Sequence, residues 1–273
     1  MYDSGLKVPM IIRYPDKARA GETDDQLISF IDFSPTTFSL AGIKPPAYLD
    51  GRAFAGHFES NSPRKYIHAA ADRLDKERDM IRAVRDPQFK YLRNFKTDQG
   101  YYLPLTYREG ISTMQELLRM RDAGELNEIQ MQWFRESKSP EELFDTWKDP
   151  HQINDLAQDP AYSEKLAELR TECDRWMEDI DDKGSIPEGD LISSFWPDWE
   201  QPVTLNPEIV REGNLVTVGC PTPGANIVFQ ITTLAQESVP GKWEVYLNPV
   251  TLPDGGSLYV QAHRIGFKPS GDN

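Results

Sequence analysis

The sequence predicts an α+β chain in three parts: a strand–loop–helix segment, an antiparallel sheet with a long helix, and a small all-β sandwich. Three observations support this fold class. The first 60 residues open on a continuous apolar run and lead to a helix signal, residues 65–95 contain three short strand patterns, and residues 203–273 consist of short strand patterns separated by turn residues. With 273 residues, the chain is long enough for two or three structural units.

Residues 1–60 read as the edge of an α/β layer. The run VPMIIRY at residues 8–14 is short and almost wholly apolar, which is typical of a strand buried on both faces. A polar loop follows Pro15. Residues 27–41 then contain a helix start at Ser34-Pro35 and a helix stop at Gly42.

Residues 61–185 read as an antiparallel sheet covered by a long helix. Strand patterns occupy residues 65–70, 80–85 and 89–95, with a turn at Asp86-Pro87 between the last two. Helical spacing follows at residues 113–123 and again at residues 126–134. The longest helix begins at Asp159-Pro160 and ends before Gly184, and its apolar stripe, expected to pack across the sheet, consists of Tyr162, Leu166, Leu169, Cys173, Trp176 and Ile180.

The last 88 residues divide into a predicted linker and a predicted sandwich. Residues 186–202 hold three prolines, several acidic residues and two tryptophans, which favours an irregular linker. Strand patterns follow at residues 215–218, 226–232, 243–247 and 257–263. Residues 203–273 therefore predict a sandwich of four to six strands.

Composition and charge limit the classes of function. The net charge is −14 and the sequence pI is about 4.8, which argues against general nucleic-acid binding because that needs a basic surface. No apolar run approaches the roughly 20 residues that a membrane span needs. The first residues lack the pattern of a signal peptide, and we expect a truncated or internal start. Cys173 and Cys220 fall in different predicted parts, so we do not expect a disulfide between them.

Six short motifs, in a fixed order over residues 1 to about 185, resemble type I sulfatases, in particular the bacterial branch related to arylsulfatases and heparan sulfatases. The motifs are LKVPMIIRYP at residues 6–15, IDFSPT at 31–36 followed by LAGI, DGR at 50–52, VRD with FKY at 84–91, ELFD at 142–145, and DP with NDLA at 149–157. Residues 203–273 resemble the fibronectin-type-III-like modules of glycan-processing enzymes, mainly through VTVGCPTPGA at 216–225.

The resemblance implies a fold and a division into domains. Sulfatases resemble alkaline phosphatase, with a large α/β domain followed by a smaller subdomain made of an antiparallel sheet and a long helix. Residues 1–60 would form the C-terminal edge of the α/β domain, and residues 61–185 would form most or all of the C-terminal subdomain. The linker at 186–202 and the sandwich at 203–273 would follow.

The resemblance also implies a chemistry whose central groups this chain lacks. Sulfatases hydrolyse sulfate esters with a formylglycine made from Cys or Ser in a Cys-Xaa-Pro/Ala-Xaa-Arg motif, and a divalent cation, usually Ca²⁺, neutralises the sulfate oxygens. Cys173 is followed by DRW and Cys220 by PTPG, so neither cysteine fits that motif. The paired aspartates of the family also have no counterpart. We expect no nucleophile, no metal ligands and no turnover in this chain alone.

Part of a substrate rim is still expected. Ten Lys/Arg residues and five acidic residues lie between Pro63 and Lys96, and this local excess of positive charge would attract anionic sugars. In relatives the loop equivalent to residues 68–75 lies near the pocket, so His68, Asp72 and Arg73 are the expected substrate contacts. A solvated hairpin face explains the same charges without any ligand. The four histidines show no metal-ligand spacing.

Three functions remain open at this point. The chain is the C-terminal part of a sulfatase acting on sulfated glycans, or a non-catalytic module that binds such glycans, or part of another alkaline-phosphatase-like enzyme that hydrolyses phosphoesters. For the first hypothesis the resemblance implies a periplasmic or secreted parent enzyme, with its N-terminal segment as the partner of this chain.

Overall fold

The computed structural model describes residues 1–232 and 242–271. The chain forms two compact units, Met1–Ser185 and Ile186–Asn273. The first unit mixes helices with an antiparallel sheet, as the sequence predicts, and the second is mostly β. No helix in the described part of the chain is long and apolar enough to cross a membrane.

The helices and strands of the first unit follow one another in a simple order. The helices are α1 (Asp3–Leu6), α2 (Phe33–Leu40), α3 (Thr106–Glu109), α4 (Ser112–Asp122), α5 (Glu128–Met131) and α6 (Ser163–Asp179). The strands are β1 (Ile67–Leu74), β2 (Glu77–Arg85), β3 (Phe89–Asn94) and β4 (Glu141–Asp145), and they form one antiparallel sheet in the order β1-β2-β3-β4.

The long helix α6 covers one face of this sheet, which confirms the prediction. Val84, Tyr91 and Leu143 from the strands form a buried cluster with Leu169 and Cys173 from α6. Leu169 and Cys173 are four positions apart, so they lie on the same side of the helix. The turn at Asp86 is also confirmed, because its carboxylate accepts hydrogen bonds from the amides of Gln88 and Phe89. The predicted strand at residues 65–70 begins two residues later and continues to Leu74.

The opposite face of the sheet is covered near its centre by the first residues of the chain. Ala83, Leu92 and Phe144 form a second buried cluster there, and Met1 and Tyr2 pack against it. The Tyr2 ring meets the Phe144 ring edge-on, with ring centroids 5.5 Å apart. The two faces of the sheet therefore have different coverings, a helix on one and the chain's first turn on the other.

Residues 8–14, predicted as a buried strand, form no strand in the structure and are mostly exposed. The prediction was wrong because a strand is stabilised by hydrogen bonds to a neighbouring strand. Among the described residues no strand pairs with this segment. The helix predicted nearby is present as α2, preceded by a 3-10 turn at Phe30–Asp32, and it starts one residue before Ser34.

In its described residues, 186–232 and 242–271, the second unit has six strands in two antiparallel sheets. The strands are β5 (Glu208–Glu212), β6 (Leu215–Gly219), β7 (Asn226–Thr232), β8 (Glu244–Val245), β9 (Val250–Thr251) and β10 (Ser257–His263), in the orders β10-β7-β8 and β5-β6-β9. Val216 and Val218 of one sheet and Val260 of the other belong to one buried cluster.

Residues 186–202, predicted as an irregular linker, contain helix α7 (Glu188–Phe195) and a 3-10 turn at Pro197–Trp199. The prolines that suggested a linker do not interrupt this helix. Pro187 precedes its first turn and Pro197 follows its end, and both positions tolerate a missing amide hydrogen.

Candidate functional site

The sheet places the three predicted substrate residues on two different faces. His68 and Asp72 lie on the face covered by α6, because alternate residues of β1 share a face and His68 contacts that helix. Arg73 lies on the opposite face. Ala69 of the same strand also lies on that face, where it packs against the second buried cluster. The structure therefore does not bring the three side chains together.

His68 packs beneath helix α6. Its ring stacks on the ring of Trp176, with centroids 4.8 Å apart, and its Nε2 lies 2.9 Å from Oε1 of Glu172. Burial lowers the pKa of His68, and the hydrogen bond to the Glu172 carboxylate only partly offsets that effect. These contacts hold the strand against the helix.

Asp72 is one of two carboxylates that bind Arg82. Oδ1 of Asp72 lies 2.8 Å from Nη1 of Arg82, and Oδ1 of Asp182, just after α6, lies 2.7 Å from Nη2 of the same guanidinium. The Arg82 side chain is 1% exposed. A Cβ atom at Gly184 would lie 2.0 Å from Arg82 Nη2, so a larger residue there would force the guanidinium to shift from its present position. Asp72 thus helps to fix the hairpin to the chain that follows α6.

Arg73 lies at the exposed end of the β1–β2 hairpin. Its Nε donates a hydrogen bond to the backbone oxygen of Asp75, 2.7 Å away. Asp75 adopts a positive φ of 54°, which closes the tight turn. The pairing register sets Arg73 directly opposite Arg78, after a bulge that gives β2 one extra residue between Arg78 and Ile81.

Most of the other basic residues between Pro63 and Lys96 neutralise acidic side chains within the unit. Lys90 and Arg85 both bind the buried carboxylate of Asp3, at 2.8 and 2.9 Å. Burial lowers the pKa of the Lys90 amine, and the bond to Asp3 opposes that shift. Internal ion pairs therefore neutralise most of the positive charge that we predicted for this segment.

Asp3 joins three of the sequence motifs. It lies just before the LKVP motif, while Arg85 and Lys90 belong to the VRD and FKY motifs. The backbone amide of Asp3 also donates to Oε1 of Gln152, 2.6 Å away, in the motif that begins at Asp149. Asp3 was not among the residues that we expected from the sequence to matter. The signal that could have identified it is an acidic residue beside one motif and two basic residues inside another.

Asp32 joins two further motifs in the same way. Its Oδ1 accepts a hydrogen bond from the amide of Arg52, at 2.8 Å, and also binds the guanidinium of Arg64. A Cβ atom at Gly51 would lie 1.9 Å from the backbone oxygen of Ile31, so the close approach of these segments requires glycine. The IDFSPT and DGR motifs therefore have a structural explanation.

The described residues do not provide a cation site of the kind that sulfatases use. In residues 1–232 and 242–271, no three His, Cys, Asp or Glu side chains come together as a group that could hold a metal ion. Both cysteines are free thiols. Cys173 is buried in α6, and this burial raises the pKa of its thiol to about 11, so it stays protonated at neutral pH.

The known proteins that are similar to this chain are sulfatases. Residues 1–132 match the family described as N-sulphoglucosamine sulphohydrolase, C-terminal. The chain is 51% identical over 271 residues to an ulvan-active sulfatase of Formosa agariphila, covering 99% of this chain and 45% of that protein. It is 23% identical over 219 residues to the human N-sulphoglucosamine sulphohydrolase, covering 72% of this chain and 42% of the human protein.

A solved structure of a 2-O GAG sulfatase also overlaps part of the chain. The sequences are 24% identical, the TM-score is 0.39, and the overlap covers 59% of this chain and 27% of the other. The chain thus spans less than half the length of each of these relatives. Residues 1–132 carry a sulfatase C-terminal domain, and the chain as a whole is homologous to the C-terminal portion of sulfatases.

Proposed function

We propose that this chain is the C-terminal portion of a sulfatase that hydrolyses sulfate esters of a sulfated polysaccharide such as ulvan. The observation that carries the proposal is the 51% identity to an ulvan-active sulfatase over 99% of the chain. The similarity extends through both units, so it includes the β-rich second unit as well as the sulfatase domain. A polysaccharide substrate also suits a periplasmic or secreted enzyme, because such polymers are too large to enter cells readily.

In this proposal the chain supplies scaffold and substrate rim, and the catalytic groups come from the rest of the enzyme. In the parent enzyme the formylglycine would supply the attacking oxygen and Ca²⁺ would neutralise sulfate oxygens. Neither cysteine of this chain lies in the formylglycine motif, and residues 1–232 and 242–271 contain no group of three His, Cys, Asp or Glu side chains that could hold the cation. Within the chain the buried carboxylates Asp3 and Asp32 hold together segments that are distant in sequence. The fibronectin-type-III-like character of residues 203–273 remains part of the proposal.

The first 60 residues support this arrangement because they expose an unusual amount of apolar surface. The large apolar side chains that are exposed there are Leu6, Val8, Met10, Ile11, Ile12, Phe30, Ile31, Phe33, Leu40, Ile43, Tyr48 and Phe58. A soluble protein rarely leaves so large an apolar surface uncovered. We call this surface the apolar band, and we propose that the N-terminal segment of a sulfatase covers it.

A chimera tests the proposed function. The segment of the Formosa sulfatase that precedes its matched region would be fused to this chain, and sulfate release from ulvan would be measured by ion chromatography. We expect release by the chimera and none by this chain alone. The matched control replaces by alanine the Cys or Ser of the formylglycine motif that the resemblance to sulfatases predicts in the Formosa segment, and it should abolish release.

The chimera also separates the rival functions. A soluble, folded chimera that binds calcium but releases no sulfate would overturn the proposal. Retention of ulvan by this chain without any activity in the chimera would favour a binding module. Release of phosphate from a phosphoester by the chimera, with no release of sulfate, would favour a phosphoester hydrolase.

A further inference from the structure

Three half-buried aromatic rings form a cluster in the segment between strands β3 and β4. Tyr102 comes from the start of this segment and Trp133 and Phe134 from its end, and the ring centroids are 5.1–5.5 Å apart. The two ends are joined by a hydrogen bond from the amide of Tyr102 to the oxygen of Trp133, 3.1 Å away. A Cβ atom at Gly100 would lie 1.7 Å from the backbone oxygen of Arg135, so their close approach requires glycine. The segment thus folds back on itself around the rings.

The guanidinium of Arg108, in helix α3, lies over two of these rings. Its Cζ atom is 5.3 Å from the centroid of the Tyr102 ring and 5.2 Å from the centroid of the Trp133 ring. Such cation–π contacts hold the guanidinium in one orientation, which lowers the conformational entropy that a ligand would have to remove on binding. One N–H group of Arg108 also donates to the backbone oxygen of Leu103. The chain therefore fixes this guanidinium through contacts that include no carboxylate.

The half-buried Arg108 has donors that no group in residues 1–232 and 242–271 uses. Its Nε is buried and has no hydrogen-bond acceptor, and Nη1 also has no acceptor there but is not buried. The adjacent carboxylate of Glu109 binds the hydroxyl of Tyr102 instead. By contrast, the half-buried guanidiniums of Arg85 and Arg93 each bind an aspartate. A fixed guanidinium with unused donors is a suitable partner for an anion, because burial of its charge is otherwise uncompensated.

A second guanidinium touches the same ring cluster but is paired. The Cζ atom of Arg121, in helix α4, lies 5.7 Å from the centroid of the Tyr102 ring and 5.2 Å from that of Phe134. Its Nη2 lies 2.7 Å from Oδ1 of Asp122, which neutralises its charge. We therefore assign the anion to Arg108 and a packing role to Arg121.

We propose that Arg108 binds an anionic group, sulfate or carboxylate, on a sugar unit of the polysaccharide. This inference rests on the proposed function and deepens it. Oxygens of either anion can accept hydrogen bonds from Nη1, and the partly exposed rings of Tyr102 and Trp133 offer apolar surface to the C–H groups of the same sugar. Arg108 lies outside the basic segment between Pro63 and Lys96 in which the substrate contacts were expected.

Affinity electrophoresis of the whole chain tests this site. The wild-type chain, Arg108→Gln and the control Arg119→Gln would be run in gels that contain ulvan. Arg119 is exposed on α4 and binds Glu116 and Glu125, so its replacement removes the same charge from a paired arginine. We expect Arg108→Gln to weaken retention about tenfold and Arg119→Gln to weaken it by less than about twofold. Retention of Arg108→Gln equal to that of the wild type, or equal losses in both variants, would overturn the proposal.

Hydrogen exchange of the wild-type chain gives a readout that does not require a folded variant. Amide exchange at residues 102–111, around Arg108, and at residues 186–199, in the second unit, would be measured with and without ulvan. We expect ulvan to slow exchange at 102–111 by at least about threefold and to leave 186–199 unchanged. No slowing at 102–111, or equal slowing in both regions, would contradict binding at Arg108.

Modified polysaccharides identify the anion. The same gels would be run with chemically desulfated ulvan and with carboxyl-reduced ulvan. Loss of the Arg108-dependent retention only with desulfated ulvan would assign sulfate, and loss only with carboxyl-reduced ulvan would assign a carboxylate. Arg108-dependent retention that is undiminished with both polymers would overturn the recognition of an anion.

These binding tests require no turnover, so their outcome is separate from that of the chimera. An active chimera with retention that does not depend on Arg108 would overturn this site and leave the sulfatase function standing. An inactive chimera with Arg108-dependent retention would do the reverse.

Discussion

Two regions of the first unit have similar apolar sequences but differ in how far their apolar side chains are buried. The region from β1 to α6 buries its apolar residues between the sheet and the helix, as at Val84, Leu143 and Leu169. The apolar band within residues 6–58 leaves its side chains exposed, and Ile11 is 95% exposed. The difference shows that an apolar run forms a buried strand only where a neighbouring strand or a helix is available to pair with it.

In the first 60 residues, polar contacts take the place of an apolar core. Asp3 and Asp32 are both buried. The Asp3 carboxylate binds Arg85 and Lys90, and the Asp32 carboxylate binds the guanidinium of Arg64 and the backbone amide of Arg52. Such carboxylates can fix the course of a chain that has few buried apolar contacts, provided that their charges are paired. Substitutions in the two regions should therefore affect stability differently.

Truncating a core side chain should give the largest effect on stability. Leu169→Ala removes a fully buried side chain beneath the sheet, so we expect the free energy of unfolding to fall by about 2–5 kcal/mol. Ile11→Ala in the apolar band should change it by less than about 0.5 kcal/mol. Urea denaturation of the two variants and the wild type measures both changes in the free energy of unfolding. A comparable loss for Ile11→Ala would show that the band is already packed in this chain.

Neutralising Asp3 should give the next largest effect on stability. Asp3→Asn leaves the buried amine of Lys90 without its charged partner, and we expect a loss of about 3 kcal/mol. Asp98→Asn, at an exposed aspartate, is the matched control and should be nearly neutral. Equal stability of Asp3→Asn and the wild type in urea would mean that the first turn is not held to the sheet by this pair.

The pH dependence of stability should show a smaller effect from Glu168. Hydrogen bonds from Lys165 and Tyr66 lower the pKa of this carboxyl from 4.5 to about 2. Because the pKa is lower in the folded chain, the contribution is complete above about pH 4.5 and is lost as the pH falls toward 2. Glu168 is partly exposed, so solvent screening limits the contribution to about 1 kcal/mol or less.

The variant Glu168→Gln isolates this contribution. It should reduce the difference in unfolding free energy between pH 6 and pH 3 by roughly that amount, about 1 kcal/mol or less. Identical pH profiles for Glu168→Gln and the wild type in urea denaturation would contradict the assignment to Glu168.

Local patterns in the sequence were enough to predict the main sheet and helix. The strand patterns at residues 80–85 and 89–95, the Asp86 turn and the stripe from Leu166 to Trp176 all reflect short stretches of chain. Strand β4 was not predicted, although the ELFD motif was recognised. It begins with Glu141 and Glu142, whose buried or half-buried charges are paired with Arg170 and with tyrosine hydroxyls.

Contacts between distant segments could not be predicted in the same way. The partner of a charged residue depends on the three-dimensional fold, so the ion pairs Asp3–Lys90 and Asp72–Arg82 have no local signature. The substrate contacts His68, Asp72 and Arg73 were expected in a loop near a strand that ends at residue 70, whereas strand β1 continues to Leu74. In a strand, however, consecutive residues point to opposite faces.

Hydrogen exchange tests most directly the claim that the apolar band is the surface covered by the rest of a sulfatase. Amide exchange at residues 8–14 and 89–94 would be followed by mass spectrometry in this chain alone and in the Formosa chimera. We predict slow exchange at 89–94 in both proteins, and fast exchange at 8–14 in this chain that becomes at least about 100-fold slower in the chimera. Strong protection at 8–14 in the isolated chain, or equally fast exchange there in an active chimera, would contradict the claim.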